Sequence, residues 1–151
     1  MGGVSKRFPI TACAVALLLL AGAMRTALSN DSVPADTRTS LGLTLAERAD
    51  FLAQMRQMLA SIEGIVTGVG TGDRALIAEA ARLSGNRMAR ATPAAVRDSL
   101  PAEFKALGGP THLLFEEIAV RAETDDVADL AELTGRTLQQ CLACHTRFRV
   151  D

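Results

Sequence analysis

Residues 44–72 read TLAERADFLAQMRQMLASIEGIVTGVGTG, and this stretch decides the fold. Thr44-Leu-Ala-Glu47 is a capping box, in which the threonine hydroxyl serves a first-turn backbone N–H and the glutamate reaches back to the cap. Beyond it, apolar residues recur at Leu52, Met55, Leu59, Ile62, Val66 and Val69, in alternating steps of three and four. That spacing predicts a helix with one seam turned towards other helices. The glycines at 68, 70 and 72 predict its end.

The pattern continues downstream with different punctuation. Asp73 reads as the N-cap of a second helix running to about Arg90, with Leu76, Ile77, Ala80, Ala81, Leu83 and Met88 as its apolar set and Gly85 as its weak point. Residues 92–109 hold Pro93, Pro101, Gly108 and Gly109 and read as an irregular connection with a short helical turn over 94–100. Phe104 and Leu107 in this connection are expected to cover an end of the core. A third helix is expected from Pro110 or Thr111, carrying Leu114, Phe115, Ile118, Ala119 and Ala122. The fourth follows Asp125-Asp126, an acidic pair suited to the positive end of a helix dipole. Its seam reads Val127, Ala131, Thr134, Leu138, Cys141, His145, Phe148. The expectation is an all-α domain over residues 44–151, an antiparallel up-down-up-down four-helix bundle. Composition agrees: 48% of the 151 residues are hydrophobic but only 3% aromatic, and Ala and Leu favour helices where strands favour aromatic and β-branched residues.

The first thirty residues have another character. Lys6 and Arg7 precede an apolar run over residues 8–23 that ends among small residues, the layout of a secretory signal peptide. The run is short for a bilayer span, which needs about 20 apolar residues. Cleavage is expected after Ala23 or Ser29, and residues 1–29 are assigned to the signal on the second reading. Residues 30–43 then form a polar, turn-rich flexible leader. The mature chain would be exported to the periplasm, with no membrane association. It would keep 13 basic side chains against 17 acidic ones, a net charge of −4. No basic patch dense enough for nucleic acid remains.

Export also leaves two cysteines, both in the stretch QCLACHTRFR at residues 140–149. Cys141, Cys144 and His145 form C-x-x-C-H, the spacing by which two thiols meet the vinyl groups of one haem c and the adjacent imidazole reaches its iron. On a helix Cys141 and His145 lie one turn apart on one face. A zinc site needs about four ligands, and a thioredoxin-type dithiol sits near a βαβ pattern; the sequence offers neither. One covalent haem c is the expected cofactor, attached near the C-terminus of helix 4.

With C-x-x-C-H followed by Phe148 and Arg149 on the last helix of a four-helix pattern, the chain resembles the class II c-type cytochromes. That family comprises cytochrome c′ and its low-spin, Met-ligated relatives. The resemblance spans residues 45 to the end. It implies that Cys141 and Cys144 carry the haem thioethers, that His145 is the proximal ligand and that Arg149 lies near the haem edge. A solvated helix-end charge is the alternative for Arg149.

The sixth iron ligand is a separate question. In an antiparallel bundle the end of helix 4 lies beside Met55 and Met58 on helix 1, Met88 late in helix 2 and His112 early in helix 3. Met55 falls on the stripe of Leu52 and Leu59, while Met58 falls on a flanking stripe with Phe51 and Ile65. Met55 is therefore the expected ligand. The resemblance agrees, since the Met-ligated members take this ligand from helix 1. A Met on a helix seam is also an ordinary core residue, which leaves an open iron as the alternative. The expected function is one-electron transfer between redox partner proteins, without enzymatic activity. The competing reading is a five-coordinate haem that binds NO or CO. The flanking residues Phe51, Met58 and Ile65 suit either internal packing or a homodimer face.

Overall fold

The computed structural model describes residues 35–151, of which 38–151 form one compact unit. The expected signal peptide, its cleavage site and the first part of the expected leader lie outside the described residues. The elements are β1 (Thr39–Ser40), α1 (Leu45–Thr71), α2 (Arg74–Arg82), α3 (Asn86–Ala91), α4 (Ala94–Ser99), α5 (Ala102–Arg121), α6 (Val127–Arg147) and β2 (Phe148–Arg149). The described residues are thus all-α apart from one short strand pair. Contacts run from α1 to α2, α2 to α5, α5 to α6 and α6 back to α1, so the four long segments close a ring around a shared core. Among the described residues no helix is long and apolar enough to cross a membrane.

The caps of α1 form as the sequence predicts. Glu47 N–H donates to Thr44 Oγ1 at 3.3 Å, and Glu47 Oε2 accepts from the Thr44 N–H at 2.8 Å. The Thr44 N–H, and the Thr44 hydroxyl donating to the same Oε2 at 2.7 Å, hold the Glu47 carboxyl below the usual carboxylate range. Gly72 ends the helix in the left-handed region, at φ 73°. Asp73 caps α2 by accepting from the Leu76 N–H at 2.9 Å.

The seam of α1 differs from the expected one by a shift of one residue. The stripe that faces the core is Phe51, Met55, Met58, Ile62, Ile65, Val69, again in steps of four and three. Leu59 is 68% exposed and Val66 is also exposed. Phe51, Met58 and Ile65, read as flanking, are therefore buried in the core. The seam of α6 shifts likewise: Leu130, Leu133, Thr134 and Thr137 are buried, whereas Ala131 and Leu138 are exposed.

Close packing of α1 on α2 sets this rotation. A methyl group at Gly64 would lie 2.7 Å from Ala80 Cβ, and one at Gly68 would lie 2.6 Å from Ile77 Cγ1 and 2.9 Å from the Asp73 carbonyl oxygen. Only a stripe that presents glycine to α2 permits that approach, and Ile62 and Ile65 are then carried into the core beside Ile77, Phe115, Ile118 and Leu133.

The expected second helix breaks at residues 83–85. Ser84 is fully buried and its hydroxyl pairs with that of Ser61 at 2.7 Å. Its carbonyl oxygen lies 2.7 Å from His112 Nδ1. The Glu116 carboxylate accepts from the Asn86 N–H at 2.7 Å and leaves no room for a Cβ at Gly85. Three side chains from other helices thus hold the break open. The third long helix starts at Ala102 and not at 110: it runs through Gly108, Gly109 and Pro110, and the proline removes only the hydrogen bond to the Ala106 carbonyl. The expected turn over 94–100 is present as α4.

Part of the expected leader belongs to the fold. Thr39 and Ser40 pair in parallel with Phe148 and Arg149, and the Leu41 N–H donates to the Arg149 carbonyl at 3.1 Å. Leu41 is buried against Phe51, Leu100 and Phe148. This strap ties the start of the unit to the end of α6.

Gly68→Ala tests the close approach. The clash involves backbone as well as Ile77, so despite alanine's ~1 kcal/mol advantage in helix propensity the variant is expected to lose about 1–3 kcal/mol, as overpacked sites do. Urea unfolding followed by circular dichroism measures it.

Candidate functional site

Between α1, the α3–α4 segment, α5 and the last turns of α6 lies a cavity of about 530 Å³, a size suited to burying a small organic ligand. Phe51, Leu52, Leu59, Ile62, Leu100 and Phe104 form much of its wall. Cys141, Cys144 and His145 line it from α6, Met55 and Met58 from α1, and His112 from α5. Six residues singled out in the sequence, spread over ninety positions, thus face one space. Met88 is not among them; it packs against the main core cluster.

Arg149 is also absent from the lining. Its Nε donates to the Arg38 carbonyl at 3.1 Å and its guanidinium pairs with Asp151 at 2.5 Å. The resemblance set this residue near the cofactor edge. The strand pairing of residues 148–149 instead turns it onto the strap.

Met55 and Met58 lie on the same core stripe, so the distinction drawn from the sequence does not separate them. Both methionines line the cavity. Beside it, Phe51 and Phe148 pack on Phe104, with ring centroids 5.6 and 5.4 Å away.

The motif itself is held at a clamped helix end. The His145 carbonyl accepts from Arg38 Nη1 at 3.2 Å, and the N–H of Phe148 donates to the Cys144 carbonyl. Both cysteines are half-buried and not disulfide-bonded. Burial pushes the Cys141 thiol above its ordinary range, against a smaller opposing backbone hydrogen bond. Burial also raises the Cys144 thiol, Cys141 adds to the effect, and Arg147 opposes it. Reactive dithiols of the thioredoxin kind need the opposite shift. Among the described residues no group of three or more His, Cys, Asp or Glu converges as a metal cage.

His112 has a structural partner. Because the Ser84 carbonyl can only accept, the ring donates to it from Nδ1. The bond also satisfies a carbonyl exposed by the break between α2 and α3.

Three cations complete the lining: Arg56, Arg97 and Lys105, with no acidic side chain among the residues that face the cavity. Arg97 is itself fixed by donating from Nη1 to the Arg90 carbonyl at 3.3 Å and to the Thr92 carbonyl. On the same side of α1, the buried Nε of Arg48 has no hydrogen-bond partner. Sequence reading missed Arg97 and Lys105, whose positions depend on where α4 and the first turn of α5 lie, which no local pattern encodes. The lining suits a mostly apolar group with anionic edges.

No family model, curated protein or solved structure matches the chain.

The raised thiols give a pH expectation. With both thiols free, alkylation by iodoacetamide is expected to run slower at pH 7 than for an unstructured cysteine and to keep rising with pH beyond the ordinary thiol range. A plateau near neutrality would mean a lowered thiol instead.

Proposed function

We propose that the chain is an exported monohaem c-type cytochrome that carries single electrons between redox partner proteins. The observation that supports this reading is the convergence of Cys141, Cys144, His145 and Met55 on one apolar cavity. Cys141 and Cys144 would hold the group through two thioether bonds, and the His145 imidazole and the Met55 sulfur would ligate its iron. When bound, the haem supplies a one-electron iron couple, which His/Met ligation shifts towards high potential.

The chain's own residues account for the rest of the task. The apolar wall and the ring of Phe51, Phe104 and Phe148 exclude water, which lowers the local dielectric around any charge change. Arg56, Arg97 and Lys105 offer positive charge to the carboxylates of the cofactor. The clamp of Arg38 on the His145 carbonyl fixes the helix end that carries the imidazole. The fold that goes with this reading is an antiparallel four-helix bundle made of α1, α2 with α3, α5 and α6. Its site is the periplasm, and the thiols meet their cofactor after export.

A second reading is favoured by one observation. Met55 packs against both hydrophobic clusters, as a residue that only fills the core does. The iron would then be open on that side and would bind NO or CO.

Absorption spectra of the oxidised holoprotein separate the two. The expected wild type is low-spin with a sulfur-to-iron charge-transfer band that Met55→Ala abolishes and Met58→Ala retains; Met55→Ala also lowers the reduction potential. A high-spin wild type supports gas binding. Cys141→Ser with Cys144→Ser is expected to lose covalent attachment, read by whether the chromophore stays with the denatured chain.

A further inference from the structure

Residues 86–99 close one side of the cavity and are lightly bound to the rest of its wall. They make two short helices, α3 and α4, of six residues each, neither with a side-chain cap and neither with a buried residue. Helices of that length are not stable alone and take their order from what they pack on. Here the packing is slight. Met88, close to the start, is half-buried against the main core cluster, and Val96 is half-buried. Among the described residues, two hydrogen bonds tie residues 87–99 to the long helices: Thr92 Oγ1 donates to Gln54 Oε1 at 3.3 Å, and Lys105 Nζ donates to the Asp98 carbonyl at 3.4 Å. Both are longer than the common range for such bonds.

The two ends of the segment are fixed. Ser84 and Asn86 are held by Ser61, His112 and Glu116, and Leu100 is buried with Phe51 and Phe148. Between these points Arg97 joins the two helices into one body across Pro93, donating from Nη1 to the carbonyls of Arg90 and Thr92. A stapled, lightly packed flap between two fixed points has one easy motion, a swing about the line through them.

Arg97 also lines the cavity. With Nη1 engaged by the two carbonyls, Nε and Nη2 are left, the edge of a guanidinium that grips an anion as a fork. An anion in the cavity is within reach of that edge only while the segment lies closed, so it favours the closed arrangement over the open one.

We infer that residues 86–99 are a lid, which swings about the break at Ser84 and the buried Leu100 to admit an apolar anion and is held shut by that anion through Arg97. This deepens the proposed function and rests on it only for the identity of the occupant as a haem with its carboxylates. The opening itself requires no cofactor.

Hydrogen exchange, read by mass spectrometry, tests the lid on the full chain with free thiols, with anilinonaphthalene sulfonate, an apolar ring system bearing one anionic group, as the probe. Without the probe, exchange over residues 86–99 is expected to be insensitive to low urea, whereas α1 and α5 open only with the whole fold and follow urea. Saturating probe should slow residues 86–99 about tenfold. Arg97→Leu should lose that slowing and Arg97→Lys should keep part of it. Arg56→Leu, which removes a cavity cation from α1, should weaken binding and still give the full slowing once saturated. In the holoprotein, Arg97→Leu should speed exchange over residues 86–99 about tenfold and leave α1 and α5 unchanged. Exchange over residues 86–99 that follows urea together with the long helices overturns the lid. Equal slowing in the wild type and Arg97→Leu, or a holoprotein in which the two exchange alike, overturns the part given to Arg97. Failure of the probe to bind overturns the assignment of an apolar anion. A lid that answers the probe in a chain that never acquires haem supports the inference and sinks the cytochrome reading.

Discussion

The stacking of Phe104 between Phe51 and Phe148 is the contact on which the cavity depends. Each ring comes from a different long segment, α1, α5 or the end of α6, and the Phe104–Phe148 pair meets edge to face at 5.4 Å, a geometry that adds about 0.5–1.5 kcal/mol to the burial of the rings themselves. Without this cluster nothing would hold the three elements at a fixed separation on the open side of the cavity. At the other end the glycines of α1 let α2 approach to backbone contact, and Phe115, Ile118 and Leu133 fill the space. The ring of helices is thus pinned at two levels, and the cavity lies between them.

That arrangement explains which parts of the fold could be read from the sequence. The first and last long helices, the capping box at Thr44, the Asp73 cap and the Gly72 stop depend on neighbours within a turn, and these were legible. The rotation of α1 was not. Leu52, Leu59 and Val66 repeat with the same seven-residue period as Phe51, Met58 and Ile65, one position away, so periodicity alone supports both stripes. What decides between them is Gly64 against Ala80 and Gly68 against Ile77, contacts between helices. The start of α5 was misread for a related reason: Gly108-Gly109-Pro110 is a strong local breaker, and it is overridden because Phe104 must reach Phe51 and Phe148.

The candidate site divides in the same way. Cys141, Cys144 and His145 share one wall because their spacing gathers them at one helix end, and Met55, Met58 and His112 meet them there because helix topology brings those stretches together; the choice between Met55 and Met58 was not legible, since both lie on the core stripe. Arg97 and Lys105 carried no signal, since a cation eight residues from another in a proline-bounded stretch resembles any solvated surface. His112 looked like a ligand candidate. Its engagement with the Ser84 carbonyl gives it a structural duty, which depends on a helix break that the sequence marked only as a weak glycine.

The strap between residues 39–41 and 148–149 bears on the order in which the molecule is completed. It closes a loop of more than a hundred residues, at an entropic cost of about 4 kcal/mol by loop-closure scaling, and contacts of that separation form late in folding. Its two halves also leave the ribosome at opposite ends of synthesis. Until the strap closes, the last turn of α6, which carries Cys144 and His145, lacks the bond from Arg38 to the His145 carbonyl, so the end of the chain is the last part of the cavity wall to be fixed.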